Sequence, residues 1–226
     1  MSKLFVVGTP IGNLDDISGR ALEVFSNVDL ILAEDTRVIQ KILNNFEIKT
    51  SVSRYNEHKP EKVFEKITEL FKQGKSVALV SDAGMPGVSD PGGKLVEYIQ
   101  KNIKGVGILV VPGPSAVTSA LAVSGMPANE FTFLGYPPAK NKRQKFFKKV
   151  AGVEITPVVL YESPHRFLKT LRQLKEYIDS ERDVFVGREM TKMYEEYFRG
   201  TVEEALYYFG EEGEGKVKGE FVIVIE

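Results

Sequence analysis

In the N-terminal half of the chain, short apolar runs alternate with amphipathic stretches, and this alternation leaves very few architectures open. Residues 4–8, 29–34, 50–55, 76–81 and 107–111 read as strands, and residues 18–27, 36–44, 60–72 and 93–101 as helices. Ser18 is suited to cap the first helix, and Pro60 to the first turn of the third. Apolar strands that are each followed by a helix build a mostly parallel sheet covered on both faces. After the Pro/Gly break Val111-Pro-Gly-Pro-Ser115 come a helix over 114–124 and strands over 131–135, 157–161 and 183–188. The last strands, 195–201 and 219–226, flank a helix over 203–209, which implies a more antiparallel, mixed sheet. The expected fold class is thus two α/β domains, residues 1–112 and 113–226. With 226 residues, each can bury a core of its own.

Several classes of function drop out early. The chain has no cysteine, so disulfides and thiolate zinc sites are excluded. His58 and His165 are the only histidines and lie far apart, so no helix-borne zinc pair exists and no metal is expected. No apolar run approaches a membrane span, and the N-terminus lacks a signal-peptide pattern, so a cytoplasmic protein is expected. Net charge is −1, from 30 basic and 31 acidic residues. A nucleic-acid surface must therefore come from local segregation of charge.

An open parallel sheet binds ligands at the carboxyl ends of its strands. The segments found there are Gly8-Thr-Pro-Ile-Gly-Asn13, Glu34-Asp-Thr-Arg37, Tyr55-Asn-Glu-His58, Ser81 to Gly93 and Val111 to Ser115. Polar, Gly and Pro residues accumulate at this edge; turns favour the same residues, but the opposite edge is bland. The 13-residue loop Ser81–Gly93 holds four glycines and two prolines, far more than a strand-to-helix turn needs. Glycines let backbone approach a ligand and prolines keep the loop rigid, while Asp82 and Asp90 offer carboxylates to hydroxyls or an ammonium group. Asp90 also has a simpler role open to it, as a helix cap. Neither the Gly-x-x-x-x-Gly-Lys nor the Gly-x-Gly-x-x-Gly fingerprint occurs, which counts against P-loop and ordinary dinucleotide sites.

The motifs Gly8-Thr-Pro-Ile-Gly-Asn13, Ala33-Glu-Asp-Thr-Arg37, Ser81-Asp-Ala-Gly-Met-Pro-Gly-Val-Ser-Asp-Pro-Gly92, Pro112-Gly-Pro-Ser-Ala116, Tyr161-Glu-Ser-Pro-His-Arg166 and Gly187-Arg-Glu-Met-Thr-Lys192 occur in this order. Together they resemble the ribosomal RNA small subunit methyltransferase I family, within the tetrapyrrole methylase superfamily. The resemblance implies a two-domain α/β fold with S-adenosylmethionine folded into the cleft between domains, and a homodimer. It implies 2′-O-methylation of a cytidine in the decoding region of 16S ribosomal RNA within the small subunit. It also implies a cofactor pocket lined by Pro10, Ser81, Asp82, Ala83, Gly84, Met85, Ser115 and Ala116, with Leu160 and Tyr161 from the second domain. Many members of the family carry a further C-terminal helical segment.

A ribose hydroxyl is a weak acid, so its proton needs an acceptor. The candidates are Glu34, Asp35, Glu57, Asp90 and Glu189, with Asp35 favoured because Arg37 is placed to hold a phosphate beside it. Asp35 as a plain helix cap is the competing reading. His58 is a further candidate for base or substrate contact, though a lone histidine after a strand is more often structural. Arg166, Arg188 and Lys192 are phosphate-contact candidates; for Arg188 the competing reading is a surface pair with Glu189. The clearest charge segregation is Lys140-Asn-Lys-Arg-Gln-Lys-Phe-Phe-Lys-Lys149, six of whose ten residues are basic, with no acid between Phe131 and Val153. Its apolar face through Phe146, Phe147, Val150 and Ala151 leaves Lys140, Lys142, Arg143, Lys145, Lys148 and Lys149 as expected phosphate contacts. The closest rival is a tetrapyrrole methyltransferase of the same fold, which needs no such segment. A non-catalytic RNA-binding module leaves the Gly/Pro loop without a purpose.

Overall fold

The computed structural model describes residues 2–57, 60–211 and 217–226. Two compact units are present, Met1–Ser115 and Ala116–Glu226. The division falls inside the Pro/Gly break, three residues beyond the position read from sequence.

In the first unit β1 (Lys3–Val7), β2 (Leu30–Ala33), β3 (Val52–Arg54), β4 (Val77–Val80) and β5 (Gly107–Val111) form one sheet, ordered β3-β2-β4-β1-β5. Every pairing in it is parallel. The helices are α1 (Gly19–Asn27), α2 (Thr36–Asn45), α3 (Glu61–Lys72) and α4 (Gly93–Asn102). Ser18 starts α1 as expected, its hydroxyl accepting from Ala21 N at 3.1 Å. Strand side chains alternate between two cores. Val7, Ile31, Ala33 and Ala78 pack with Phe25 of α1 and Ile39 and Leu43 of α2. Leu4, Leu32 and Leu79 pack with Ile67 and Phe71 of α3 and Leu95 and Ile99 of α4. Each fully buried Val, Leu, Ile or Phe among them stabilises the fold by about 1.5–3 kcal/mol.

This order has a consequence for function. The neighbours β1 and β4 send their connections to opposite faces, β1 through α1 toward β2 and β4 through α4 toward β5. Their carboxyl ends therefore form a topological switch point, where an open α/β sheet makes its crevice.

The second unit contains α5 (Ala116–Ser124), β6 (Thr132–Gly135), α6 (Arg143–Ala151), β7 (Val158–Glu162), α7 (Pro164–Tyr177), β8 (Asp183–Arg188), β9 (Glu196–Thr201), α8 (Val202–Leu206) and β10 (Phe221–Ile225). Its sheet is ordered β6-β7-β10-β8-β9, with β6–β7 parallel and the other three pairings antiparallel. This is the mixed sheet expected. Helices α6, α7 and α8 cover one face and α5 the other.

Three elements differ from expectation. Helix α5 starts at Ala116, two residues late, after a non-helical 112–115 segment whose Gly113 lies against Gly8. Helix α8 is shorter than expected and ends in a wider turn over Tyr207–Glu211. The longest described helix, α7, is not among the elements expected, although Phe167, Leu171 and Leu174 follow helical spacing and are fully buried.

Candidate active site

The carboxyl ends of β1, β4 and β5 are stitched into one floor. Gly8 N donates to Val111 O at 2.9 Å, and Thr9 and Gly84 exchange backbone hydrogen bonds of 2.9 and 3.1 Å. The Thr9 hydroxyl reaches Ser81 O at 3.4 Å, and the Ser81 hydroxyl donates to Ala83 O at 3.2 Å. Glycine is required here. A Cβ on Gly8 would lie 2.7 Å from Gly113 backbone and 2.6 Å from Met85 Sδ, and Gly84 has φ +71°. Pro10, Ser81 and Gly84 are buried, Met85 and Ser115 half-buried, and Asp82 and Ala83 exposed. Thus seven of the residues expected to bind cofactor converge on this floor. Asp82 Oδ1 accepts from Asp35 N at 2.9 Å, while its second carboxylate oxygen has no partner among the described residues. A rigid backbone rim with one available carboxylate oxygen suits a ligand that brings hydroxyls or an ammonium group.

The proton-acceptor candidates separate clearly. Asp35 caps α2, accepting from Arg37 N at 2.9 Å, and its carboxylate is gripped by the Arg37 side chain. Those hydrogen bonds hold its pKa well below the ordinary carboxylate range, so Asp35 is a poor base, while Arg37 is exposed and paired with it. Glu57 accepts from Gly92 N at 2.7 Å and Lys94 N at 3.3 Å, which makes it the cap of α4 supplied from another loop. Glu189 accepts from Lys192 Nζ at 2.8 Å and Glu220 N at 2.9 Å. Burial pushes its pKa up, but these partners hold it below normal. Asp35, Arg37, Glu57 and Glu189, the residues expected as catalytic, each take part in a helix cap or an ion pair. Glu34 differs: burial, then the charges of Asp82 and Asp90, raise its pKa, and it makes no hydrogen bond to a described residue. Asp90 is exposed, and the N-cap position of α4 is Gly92.

In the second unit Ala116 opens α5, packed against the core that includes Phe133 and Tyr161. The Tyr161 ring lies 5.0 Å from Phe133 and 5.4 Å from Tyr136. Leu160 points the other way into the α6–α7 core with no exposure, so its side chain lines no pocket.

Beside Tyr161 sits Glu162, 1% exposed. One oxygen accepts from Ser163 N at 2.7 Å and pairs with the Arg166 guanidinium at 2.8 Å. The other accepts from the Thr170 hydroxyl at 2.6 Å and lies 3.7 Å from the Arg143 guanidinium. Arg143 is 4% exposed and spends its remaining donors on Thr170, Gln173 and Pro138 O. Arg143 is therefore not a phosphate contact; its lone position on the apolar side of α6 turns it inward. Arg166 is likewise committed, to Glu162, Ser163 and Pro137 O. Arg188 pairs with Glu196 and Lys218 O, and Lys192 with Glu189 and Glu220, so neither is available for RNA in this arrangement. The Arg188–Glu189 pair weighed from sequence does not form.

Lys140, Lys142, Lys145, Lys148 and Lys149 are all exposed. Lys169 and Arg172 of α7, next in sequence to the Thr170 and Gln173 that Arg143 grips from α6, are exposed as well. They stand singly between apolar positions of α7 and outside the 140–149 run, so no charge segregation marks them in the sequence. His58 lies outside the described residues. No group of metal-ligating side chains is found, and no helix is long and apolar enough to cross a membrane, among the described residues.

The two α/β units, one parallel and one mixed, and a glycine-lined switch point define a class. A family model for tetrapyrrole (corrin/porphyrin) methylases matches residues 3–206, and the chain belongs to that family. Within it the chain is similar along its whole length to proteins named ribosomal RNA small subunit methyltransferase I. The Thermotoga maritima protein is 48% identical over 100% of this chain and 98% of its own. The Hydrogenobaculum protein is 42% identical over 99% and 95%, and the Halalkalibacterium halodurans protein 40% over 99% of this chain and 75% of its own. Among solved structures, uroporphyrin-III-C-methyltransferase from Thermus thermophilus superposes with TM-score 0.67 at 20% identity, over 98% of this chain and 93% of that one. A cobalt precorrin-4 methyltransferase superposes with TM-score 0.66, also at 20% identity, over 98% and 94%. At that identity the likeness speaks for the fold alone.

Proposed function

We propose that this chain transfers the methyl group of S-adenosylmethionine to the ribose 2′-oxygen of a cytidine in the decoding region of 16S ribosomal RNA, acting on the small ribosomal subunit. The observation that carries the reading is the 48% identity to a ribosomal RNA small subunit methyltransferase I along the full length of both chains. The exposed lysines of α6 support it, because a basic segment without acids suits a phosphate backbone. A tetrapyrrole methyltransferase shares the fold but leaves that surface without a purpose.

The floor around Gly8, Gly84 and Gly113 fits the cofactor, offering close backbone approach and the available oxygen of Asp82 for its ribose or amino group. Bound there, the cofactor supplies an electrophilic methyl on a sulfonium. Because the sulfonium charge fades in the transition state, Asp82 serves best at the cofactor's polar ends, away from sulfur. Positioning of the 2′-oxygen supplies most of the acceleration. Glu34, whose raised pKa brings it closer to the working pH, is the better-matched proton acceptor. Leu109 and Val110 of the edge strand β5 are 41% and 56% exposed, which favours a homodimer that covers them. A ribosomal substrate places the enzyme in the cytoplasm.

The test is transfer of labelled methyl from S-adenosylmethionine to small subunits that lack their native methylations, with uroporphyrinogen in parallel. Label in RNA supports the proposal; label in the tetrapyrrole alone refutes the substrate.

A further inference from the structure

Glu162 is buried at the end of β7, yet it has no place in the cofactor floor and is too enclosed to meet a substrate. A buried carboxylate is costly unless its charge is compensated, and this one draws two guanidinium groups to itself. Those guanidiniums do more than neutralise it. Arg166 donates to Pro137 O at 2.9 Å and Arg143 to Pro138 O at 3.0 Å, so both ends of a Pro-Pro step are tied to the same carboxylate.

That step lies between two features that face outward. Before it, Tyr136 is half exposed and lies against Tyr161. After it, Lys142 has a left-handed backbone, φ +66°, and α6 begins without a side-chain cap. A lysine in that conformation is strained and persists only where its surroundings dictate it. The Arg143 tethers on Pro138, Thr170 and Gln173 supply such surroundings.

We infer that Glu162, Arg143 and Arg166 form a positioning device that presents the Lys140–Lys149 surface and Tyr136 to RNA in a fixed geometry. This rests on the RNA reading above. Preorganisation then lowers the entropy lost when a basic loop docks on a phosphate backbone. Arg166 does not touch RNA; it acts through the Pro137 carbonyl.

The experiment compares wild type with Arg166→Gln, Arg166→Lys and Glu162→Gln. Arg166→Lys keeps the positive charge that buried Glu162 requires, so it remains folded even if Arg166→Gln or Glu162→Gln does not. Four quantities are read: melting temperature, S-adenosylmethionine affinity, direct affinity for a decoding-region RNA, and trypsin cleavage at Lys140 and Lys142. Arg166→Lys keeps a charge for Glu162 but cannot also hold Pro137 O. It is expected to retain melting temperature and cofactor affinity, bind RNA on the order of five- to tenfold more weakly, and be cleaved faster at Lys140 and Lys142. A residue with a merely structural role would be rescued by lysine in all four readouts. Faster cleavage with unchanged RNA affinity overturns the proposal, as does wild type that fails to bind RNA. Wild type that binds RNA but methylates none instead removes the proposed reaction and leaves this inference standing.

Discussion

Thr9 and Gly84 face each other across the ends of β1 and β4 and exchange two backbone hydrogen bonds, an isolated antiparallel bridge in an otherwise parallel unit. Parallel neighbours normally leave their carboxyl ends splayed at a switch point. Here the bridge draws the loops after β1 and β4 together, and the Gly8–Gly113 approach adds the loop after β5. A ligand meets a backbone surface that is already formed, so little ordering is required on binding.

Gly113→Ala tests that surface. The added Cβ would stand 2.8 Å from Gly8 backbone, which has no flexible side chain to yield. Titration calorimetry is expected to show S-adenosylmethionine affinity reduced about tenfold or more, with a stability loss of about 1–3 kcal/mol from overpacking. Wild-type affinity would remove this floor from the cofactor site.

Glu57→Ala separates capping from catalysis. Loss of the cap on Gly92 and Lys94 is expected to cost about 1 kcal/mol, with faster exchange of those two amides. Turnover should change no more than a few-fold. A collapse of kcat with unchanged stability would return Glu57 to the chemistry.

Glu34→Gln carries a signed pH dependence. A raised pKa means that folding favours the protonated acid, so its contribution is full below the unfolded value, about 4.3, and is lost as pH rises through the folded one. The glutamine variant should therefore melt higher than wild type at neutral pH and match it below about pH 4. As the loss of a proton acceptor, it should also lower kcat by about a hundredfold. A variant that melts at or below wild type at pH 7, with full activity, contradicts both roles.

Much of the architecture is legible in the sequence. The apolar period of β1 to β5, Ser18 as a cap and the Gly/Pro loop after β4 are local signals, and local signals survive folding. Burial of charge is not local. Arg143 reads as one more cation in a basic run, and only Thr170, Gln173 and Glu162, distant in sequence, turn it inward. Glu57 and Asp35 read as acids beside a site; the helix starts they cap become visible only once the loops are placed. The clue available for Arg143 was its spacing, four residues before Phe147, on the same helical face.

Lys145→Glu together with Lys148→Glu tests the outward face of α6. Both side chains are exposed, so stability should move within about 0.5 kcal/mol. RNA affinity should fall, and the slope of log K against log salt should become shallower by about two units if both touch phosphates. An unchanged slope would leave these lysines as a solvated helix face. Arg143→Ala is the contrast: it breaks a buried pair and is expected to cost about 3–5 kcal/mol.

The most direct test of the central claim is the chemical position of the transferred methyl group. Small subunits methylated with labelled S-adenosylmethionine are digested with alkali, which cleaves RNA only where a free 2′-hydroxyl is present. Label is expected to survive in a single alkali-resistant dinucleotide containing a decoding-region cytidine. Label recovered in alkali-sensitive mononucleotides, which places the methyl on a base, or found only in a tetrapyrrole, would contradict it.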